Sequence, residues 1–302
     1  MKIYNNNFQE CPDTNNFFSD TYNQIAHFLK ERIRDEKLYN EIITNGNSTA
    51  VQITDGNTYK VLDHNRKYLT RNFMGSAAAL KINIATIVDD KAIHILPGVA
   101  LRPNFNKHQL VHELFHALSS TQHNYFNEEG ITYFKFGTYV GYFDKNLNGV
   151  KMENNPSSDG LNEGITELLT SKLTNEYIGN YPGYVVMAGL LMSCNDKLLN
   201  AYFSSDLKEL ESFYSDLEEK QNVITRDDLC NLNSKKMDDS QLLKIITGAI
   251  KYNEAYNNKI DITTYSNYLD RFYMLDSGSW IDLISESLGE YEEQNTSSPM
   301  TM

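Results

Sequence analysis

Residues 112–116 read His-Glu-Leu-Phe-His, and further along the chain Glu163 and Glu167 stand in the run Leu161-Asn162-Glu163-Gly164-Ile165-Thr166-Glu167. Residues four apart on an α-helix share a face, so His112 and His116 can aim two imidazole nitrogens at one point. Two neutral imidazoles converging in this way suit a zinc ion. Glu113, next to the first histidine, projects beside such a metal, where a carboxylate can take a proton from a metal-held water. Zinc lowers the pKa of that water enough to make it a nucleophile near neutral pH.

A catalytic zinc site also needs a third protein ligand and one open position. Glu163 is expected to be that ligand, because Ile165, Leu168, Leu169 and Leu173 give the segment an apolar side and place Glu163 in the first turn of a helix. Glu167 follows four residues later on the same face, where its carboxylate can accept the second ring N–H of a ligating histidine and fix that ring's orientation. A metzincin-type third histidine is not available: Ser119 and Gln122 stand where glycine and histidine are needed, and His123 is one position out of register. Glu128 and Glu129 are rival ligands, but they follow the first helix so closely that the chain must reverse sharply to bring them back.

The combination resembles the gluzincin metallopeptidases, the thermolysin-like group with a glutamate as third ligand. Leu161-Asn162-Glu163-Gly164 is similar to the ligand helix of the single-zinc aminopeptidases. The resemblance covers roughly residues 90–175 and implies a zincin-like, two-lobed α+β fold that hydrolyses peptide bonds. It implies His112, His116 and Glu163 as zinc ligands, Glu113 as general base and Glu167 as the partner of a ligating histidine. The link between the two helices is longer than in thermolysin or the aminopeptidases and more like that of lethal-factor-type toxin proteases, so an insertion is expected there. The aminopeptidases carry a Met-Glu-Asn strand before the zinc helix, whereas Met152-Glu153-Asn154 comes after it, and exopeptidase action gains no support. No tyrosine stands in Asn154 to Ser158, where some relatives place a donor to the developing oxyanion; Tyr177, Tyr181, Tyr184, Tyr252 and Tyr256 are the candidates instead.

These residues need elements to hold them. Leu110, Val111, Leu114, Phe115 and Leu118 give the zinc helix its apolar faces, Asn104 or Asn106 can cap it, and Pro103 lies just outside. Asn124 to Asp159, with Tyr125, Phe126, Tyr133, Phe134, Phe136, Tyr139, Tyr142 and Phe143 among glycines, predicts a β-hairpin or small sheet that either packs over the site or grips substrate. Asp144 to Gly149 matches the opening of a calcium loop, but position twelve is Asn155 instead of a bidentate glutamate, so a tight turn is expected. Upstream, the pattern predicts one amphipathic helix over 19–44 and a hairpin of Ala50–Ile53 with Tyr59–Leu62 around Asp55-Gly56. Lys81–Val88 and Ala92–Leu96, separated by Asp89-Asp90, predict two more strands of a small sheet against the zinc helix, whose edge could align an extended peptide. Downstream, apolar stripes at Leu207/Leu210/Phe213/Leu217, Leu242/Ile245/Ile246/Ile250 and Tyr265/Tyr268/Leu269/Phe272 predict core helices. Trp280 to Leu288 predicts a last helix before a polar tail. The expected organisation is residues 1–103 as a helix and small sheet, 104–175 as the zinc-site helices with their insertion, and 176–302 as a helical lobe, together one two-lobed catalytic unit.

The 302 residues suffice for a sizeable core, and a net charge of −13 with a pI near 5.0 argues against nucleic acid or an anionic membrane as partner. A peptide or protein substrate is the expected partner. No apolar run is long enough to span a bilayer, and the asparagine-rich start carries no secretion signal, which predicts a cytoplasmic protein with signal-independent export as the alternative. Cys11, Cys194 and Cys230, odd in number and widely spaced, suit reduced thiols. The other histidines, His27, His64, His94, His108 and His123, are expected on the surface or in packing, with His94 the one whose strand could border the site. The expectation is thus a zinc-dependent peptidase using Glu113 as base; the alternative is a zinc-binding, peptidase-like binding or regulatory protein without turnover.

Overall fold

A computed structural model of the chain describes residues 1–5, 9–53, 58–60, 71–73, 79–88, 92–119, 125–126, 131–144, 149–151, 159–176, 180–204, 206–232, 237–273 and 282–289. It is a mixed α+β structure in which helices predominate. Two compact units can be separated: Met1–Ser157 with Leu169–Glu176 and Leu199–Leu210, and Ser158–Leu168 with Tyr177–Leu198 and Glu211–Met302. Among the described residues, no helix is long and apolar enough to cross a membrane.

The first unit begins with β1 (Lys2–Tyr4), α1 (Phe17–Lys30) and α2 (Glu36–Ser48). One helix was expected where α1 and α2 stand. The break falls at Asp35, whose carboxylate accepts from the backbone N–H groups of Lys37 and Leu38 and so starts a new helix. The sheet that follows is ordered β1-β2-β6-β5, with β2 (Ala50–Ile53) parallel to both neighbours and β5 (Ala79–Val88) antiparallel to β6 (Ala92–Leu101). This corrects the expected hairpin around Asp55-Gly56. β3 (Thr58–Lys60) pairs instead with β4 (Arg71–Phe73), and the dipeptide itself lies outside the described residues. The physical reason is burial: Val51 and Gln52 are both buried, so β2 is covered on both faces as an interior parallel strand is. The pair β5–β6 forms as expected, with Val88 opposite Ala92 across Asp89-Asp90.

Helix α3 (Lys107–Leu118) packs on this sheet, contacting both β5 and β6, and against α2. Gly46 of α2 allows that approach, since a Cβ there would stand 2.7 Å from Leu118 Cδ2. The aromatic insertion is an antiparallel sheet ordered β10-β9-β8-β7, built from β7 (Tyr125–Phe126), β8 (Ile131–Phe136), β9 (Tyr139–Asp144) and β10 (Gly149–Lys151). Gly149 stands opposite Asp144 in the β9–β10 pair, and residues 145–148, on which the expected turn falls, lie outside the described set. The β8–β9 turn is docked on the end of α3, because Gly137, at φ 59°, donates its N–H to the Ser119 carbonyl at 3.0 Å. On β8, the Lys135 ammonium is 3 % exposed and donates to the carbonyls of Ala201, Tyr202 and Ser204 at 2.7, 3.3 and 2.7 Å. Those carbonyls end α6 (Lys197–Phe203), where a cation meets the negative end of the helix dipole.

The second unit is helical. Its centre is α5 (Pro182–Met192), apolar all round and buried from Gly183 to Leu191, with α9 (Asp239–Ala255) and α10 (Ser266–Tyr273) packed on it. The expected stripes point inward: Leu210, Phe213 and Leu217 of α7 (Leu207–Lys220) are buried, as are Leu242, Ile245 and Ile246 of α9 and Leu269 of α10. Thr225 caps the short α8 (Arg226–Cys230). A last helix, α11, occupies 282–289, burying Ile284 and exposing Leu283. Helix α4 (Asp159–Thr174) has residues in both units.

Candidate metal centre

The first half of the centre is α3. Asn106 starts it with a capping box: its side chain accepts from Gln109 N–H at 2.8 Å, and Gln109 Oε1 accepts from Asn106 N–H at 2.9 Å. Leu110, Val111, Leu114, Phe115, Ala117 and Leu118 are all buried, which fixes the rotation of the helix and hence the direction of its histidine face. On that face the His112 and His116 rings lie 4.9 Å apart between centroids, at 75°. His116 is buried, and Ser119 Oγ donates to its carbonyl at 2.9 Å in place of the next helical N–H. Glu113 lies beside His112, half-buried.

The second half is α4. Gly160 and Gly164 form a flat strip against Tyr184 of α5: a Cβ on Gly160 would strike the Tyr184 ring, and one on Gly164 would strike the Tyr184 carbonyl. At Gly164 the neighbour is backbone and only glycine permits so close an approach, while Gly160 N–H donates to the Leu232 carbonyl at 3.1 Å. Leu161, Ile165, Leu168 and Leu169 are buried, and Thr166 Oγ1 donates back to the Asn162 carbonyl at 2.8 Å. Glu163 is half-buried, whereas Glu167 has no exposed surface. A carboxylate at that depth requires hydrogen-bonded or charged company, and Glu167 is engaged with a neighbour.

His112, His116 and Glu163 come together, each offering one ligand atom, with these atoms all within 4.8 Å of one another. Such a group could hold a metal ion. Ligands about 2.0–2.1 Å from a tetrahedral zinc stand about 3.3 Å apart, so small side-chain rotations suffice to close the set on one ion. Two imidazoles with one carboxylate leave the fourth position for water.

Of the other residues singled out in the sequence, Glu128, Glu129, His64, His123, Tyr177 and Met152 to Asn154 lie outside the described set. Tyr181 is the N-terminal flank of α5, at φ 54°, and Tyr184 is buried against the two glycines. Tyr252 and Tyr256 both donate to Asp216, at 2.6 Å, and that carboxylate also binds the Lys197 ammonium at 2.6 Å. Both tyrosines are thus committed to a carboxylate within the helical unit. His27 pairs with Glu31 at 3.5 Å on the surface, and the strand residue His94 stands opposite Thr86. His108 is buried in packing as expected, but it also carries a hydrogen bond that its spacing alone does not announce, from Nδ1 to Thr174 Oγ1 at 3.2 Å. All three cysteines are free thiols, and burial pushes Cys194 up to about 11. No family model, curated protein or solved structure matches the chain.

Proposed function

We propose that this chain is a zinc-dependent metallopeptidase of gluzincin type, with a zincin-like arrangement of the two ligand helices. The observation that carries the reading is the convergence of His112, His116 and Glu163, three ligand atoms within 4.8 Å, with Glu113 placed between the two histidines in sequence. A purely structural site has no use for a carboxylate at position 113, whereas a hydrolase needs a base there.

The three residues would hold the ion, and zinc would supply Lewis acidity toward water and the scissile carbonyl. Glu113 then accepts the proton of the attacking water as its oxygen bonds to the carbonyl carbon, and passes that proton to the departing amine nitrogen as the C–N bond breaks. Glu167, one turn beyond Glu163 and fully buried, would orient a ligating imidazole through its second ring nitrogen.

A second reading, zinc binding without turnover, is favoured by the engagement of Tyr252 and Tyr256 with Asp216, which commits two candidate oxyanion donors to a carboxylate of the helical unit. The Glu113→Gln variant separates the two. Under the peptidase reading it retains zinc and loses cleavage of a peptide library by roughly a hundredfold or more; cleavage equal to wild type overturns the role of Glu113, and a zinc-loaded wild type with no cleavage favours the second reading.

A further inference from the structure

Helix α3 carries a third histidine in line with the two ligands, at spacings of four: His108, His112, His116. Helix α4 carries Thr174 eleven residues after Glu163, about three turns, which returns it to within about 20° of the same face. These two positions meet. His108 Nδ1 lies 3.2 Å from Thr174 Oγ1, and His108 is only 2 % exposed.

The direction of the bond follows from the partners of Thr174. Its hydroxyl has one hydrogen and stands 2.9 Å from the Thr170 carbonyl, which can only accept, with the Glu176 carbonyl farther off at 3.5 Å. The hydroxyl therefore donates within its own helix, and His108 donates to it through Nδ1–H. That direction puts a proton on Nδ1 of His108.

Helix α4 is one continuous α-helix, and over eleven residues, about 16 Å, it behaves as a stiff rod. On α3, His108 stands about one turn before His112 and about two before His116, and on α4 Thr174 stands about three turns after Glu163. Glu163 and Thr174 share that helix, so a slide or roll of α4 at Thr174 is felt at Glu163.

We propose that His108, through Thr174, is a positioning residue that sets the register of the Glu163 helix against His112 and His116. It binds no metal itself, and its effect is to keep the third ligand in place before an ion arrives. This assignment rests on the metallopeptidase reading of the three-ligand group.

The test uses the full chain with Thr174→Val, which removes the hydroxyl at nearly constant volume, and Thr174→Ser, which restores it. Zinc affinity is measured by chelator competition, and the visible spectrum of the Co(II)-substituted protein reports ligand geometry. Loss of one hydrogen bond that preorganises the site weakens zinc by about three- to tenfold in Thr174→Val and alters the cobalt bands, with both recovered in Thr174→Ser. Zinc affinity within about twofold of wild type and an unchanged cobalt spectrum, with only the melting temperature lowered, would overturn the assignment and leave the bond as packing. Should Thr174→Val not fold, His108→Leu reads the same tie from the other helix, and His108→Asn, which keeps an N–H near Nδ1, is its rescue. A wild type that takes up neither zinc nor cobalt overturns the metal reading and this assignment together, whereas unaffected variants of a zinc-binding wild type overturn this assignment alone.

Discussion

Gly164→Ala puts the least possible mass at the most constrained point of the glutamate helix. The added methyl would stand 2.6 Å from the Tyr184 carbonyl carbon and 2.9 Å from its Cβ, where ordinary contact begins at 3.4 Å. The obstruction is backbone, so no rotamer change relieves it, and α4 must move away from α5 by roughly 1 Å. Overpacking of this kind costs about 1–3 kcal/mol, of which the better helix propensity of alanine returns about 1. Stability therefore falls by about 0–2 kcal/mol, a modest loss. On the zinc reading affinity falls as well, because Glu163 rides on the displaced helix and its side chain must leave its preferred rotamer to reach the ion; a decrease of about three- to tenfold is expected. Gly160→Ala provides the contrast, since its methyl meets the Tyr184 ring, which can turn, and Leu232 Cβ at 3.0 Å, a milder contact. Zinc there should weaken by no more than about threefold. Urea unfolding of the metal-free chains and chelator competition for zinc measure the two effects separately. Gly164→Ala binding zinc as tightly as wild type, or Gly160→Ala proving the worse of the two, would refute the idea that this glycine strip sets the position of Glu163.

Lys135→Met leaves three carbonyls at the end of α6 without their donor, at about 1–3 kcal/mol each, and relieves the cost of burying an ammonium, for a net loss of about 2–4 kcal/mol. Burial pushes the Lys135 ammonium down from 10.5 to about 7 against the pull of Asp206, so between those values the unfolded chain binds the extra proton and wild-type stability climbs with pH. Urea midpoints at pH 6.5 and 8.5 should therefore rise in wild type and not in Lys135→Met; parallel slopes contradict this. Burial alone would raise the Asp216 pKa, but hydrogen bonds from Lys197, Tyr252 and Tyr256 outweigh it and hold the carboxyl below its ordinary 3.8. Its contribution is present above that value and lost as pH falls through the lower folded one. Asp216→Asn is expected to cost about 1–3 kcal/mol at pH 7, and an unchanged unfolding midpoint there would show the cluster to be idle.

What was legible in the sequence was local. The capping of α3 by Asn106, the shared face of His112 and His116, the strand pair around Asp89-Asp90 and the β character of the aromatic insertion all follow from residues within a few positions of one another. Glu163 could be singled out because its partners on α4 have helical spacing, although the meeting with the histidines is a long-range event. What escaped was set by distant neighbours or by competition between local signals. Asp55-Gly56 favours a hairpin, yet β2 is taken by β1 and β6, and no short-range pattern encodes that parallel pairing. Asp35 was readable as a cap, but the apolar periodicity on either side of it concealed the break between α1 and α2. No local pattern in β8 announces the burial of Lys135, whose partners are carbonyls of α6, 66 residues later. The same separation divides His108 from Thr174.

The three-ligand centre is tested most directly by metal analysis of the purified chain, comparing wild type with Glu163→Ala by mass spectrometry after zinc reconstitution and extensive dialysis. Stoichiometric zinc in the wild type and at least about tenfold less in the variant is expected, since the two remaining histidines make a weaker, incomplete set. A wild type that stays free of zinc, or a variant that retains it undiminished, would contradict the assignment of His112, His116 and Glu163 as a metal centre.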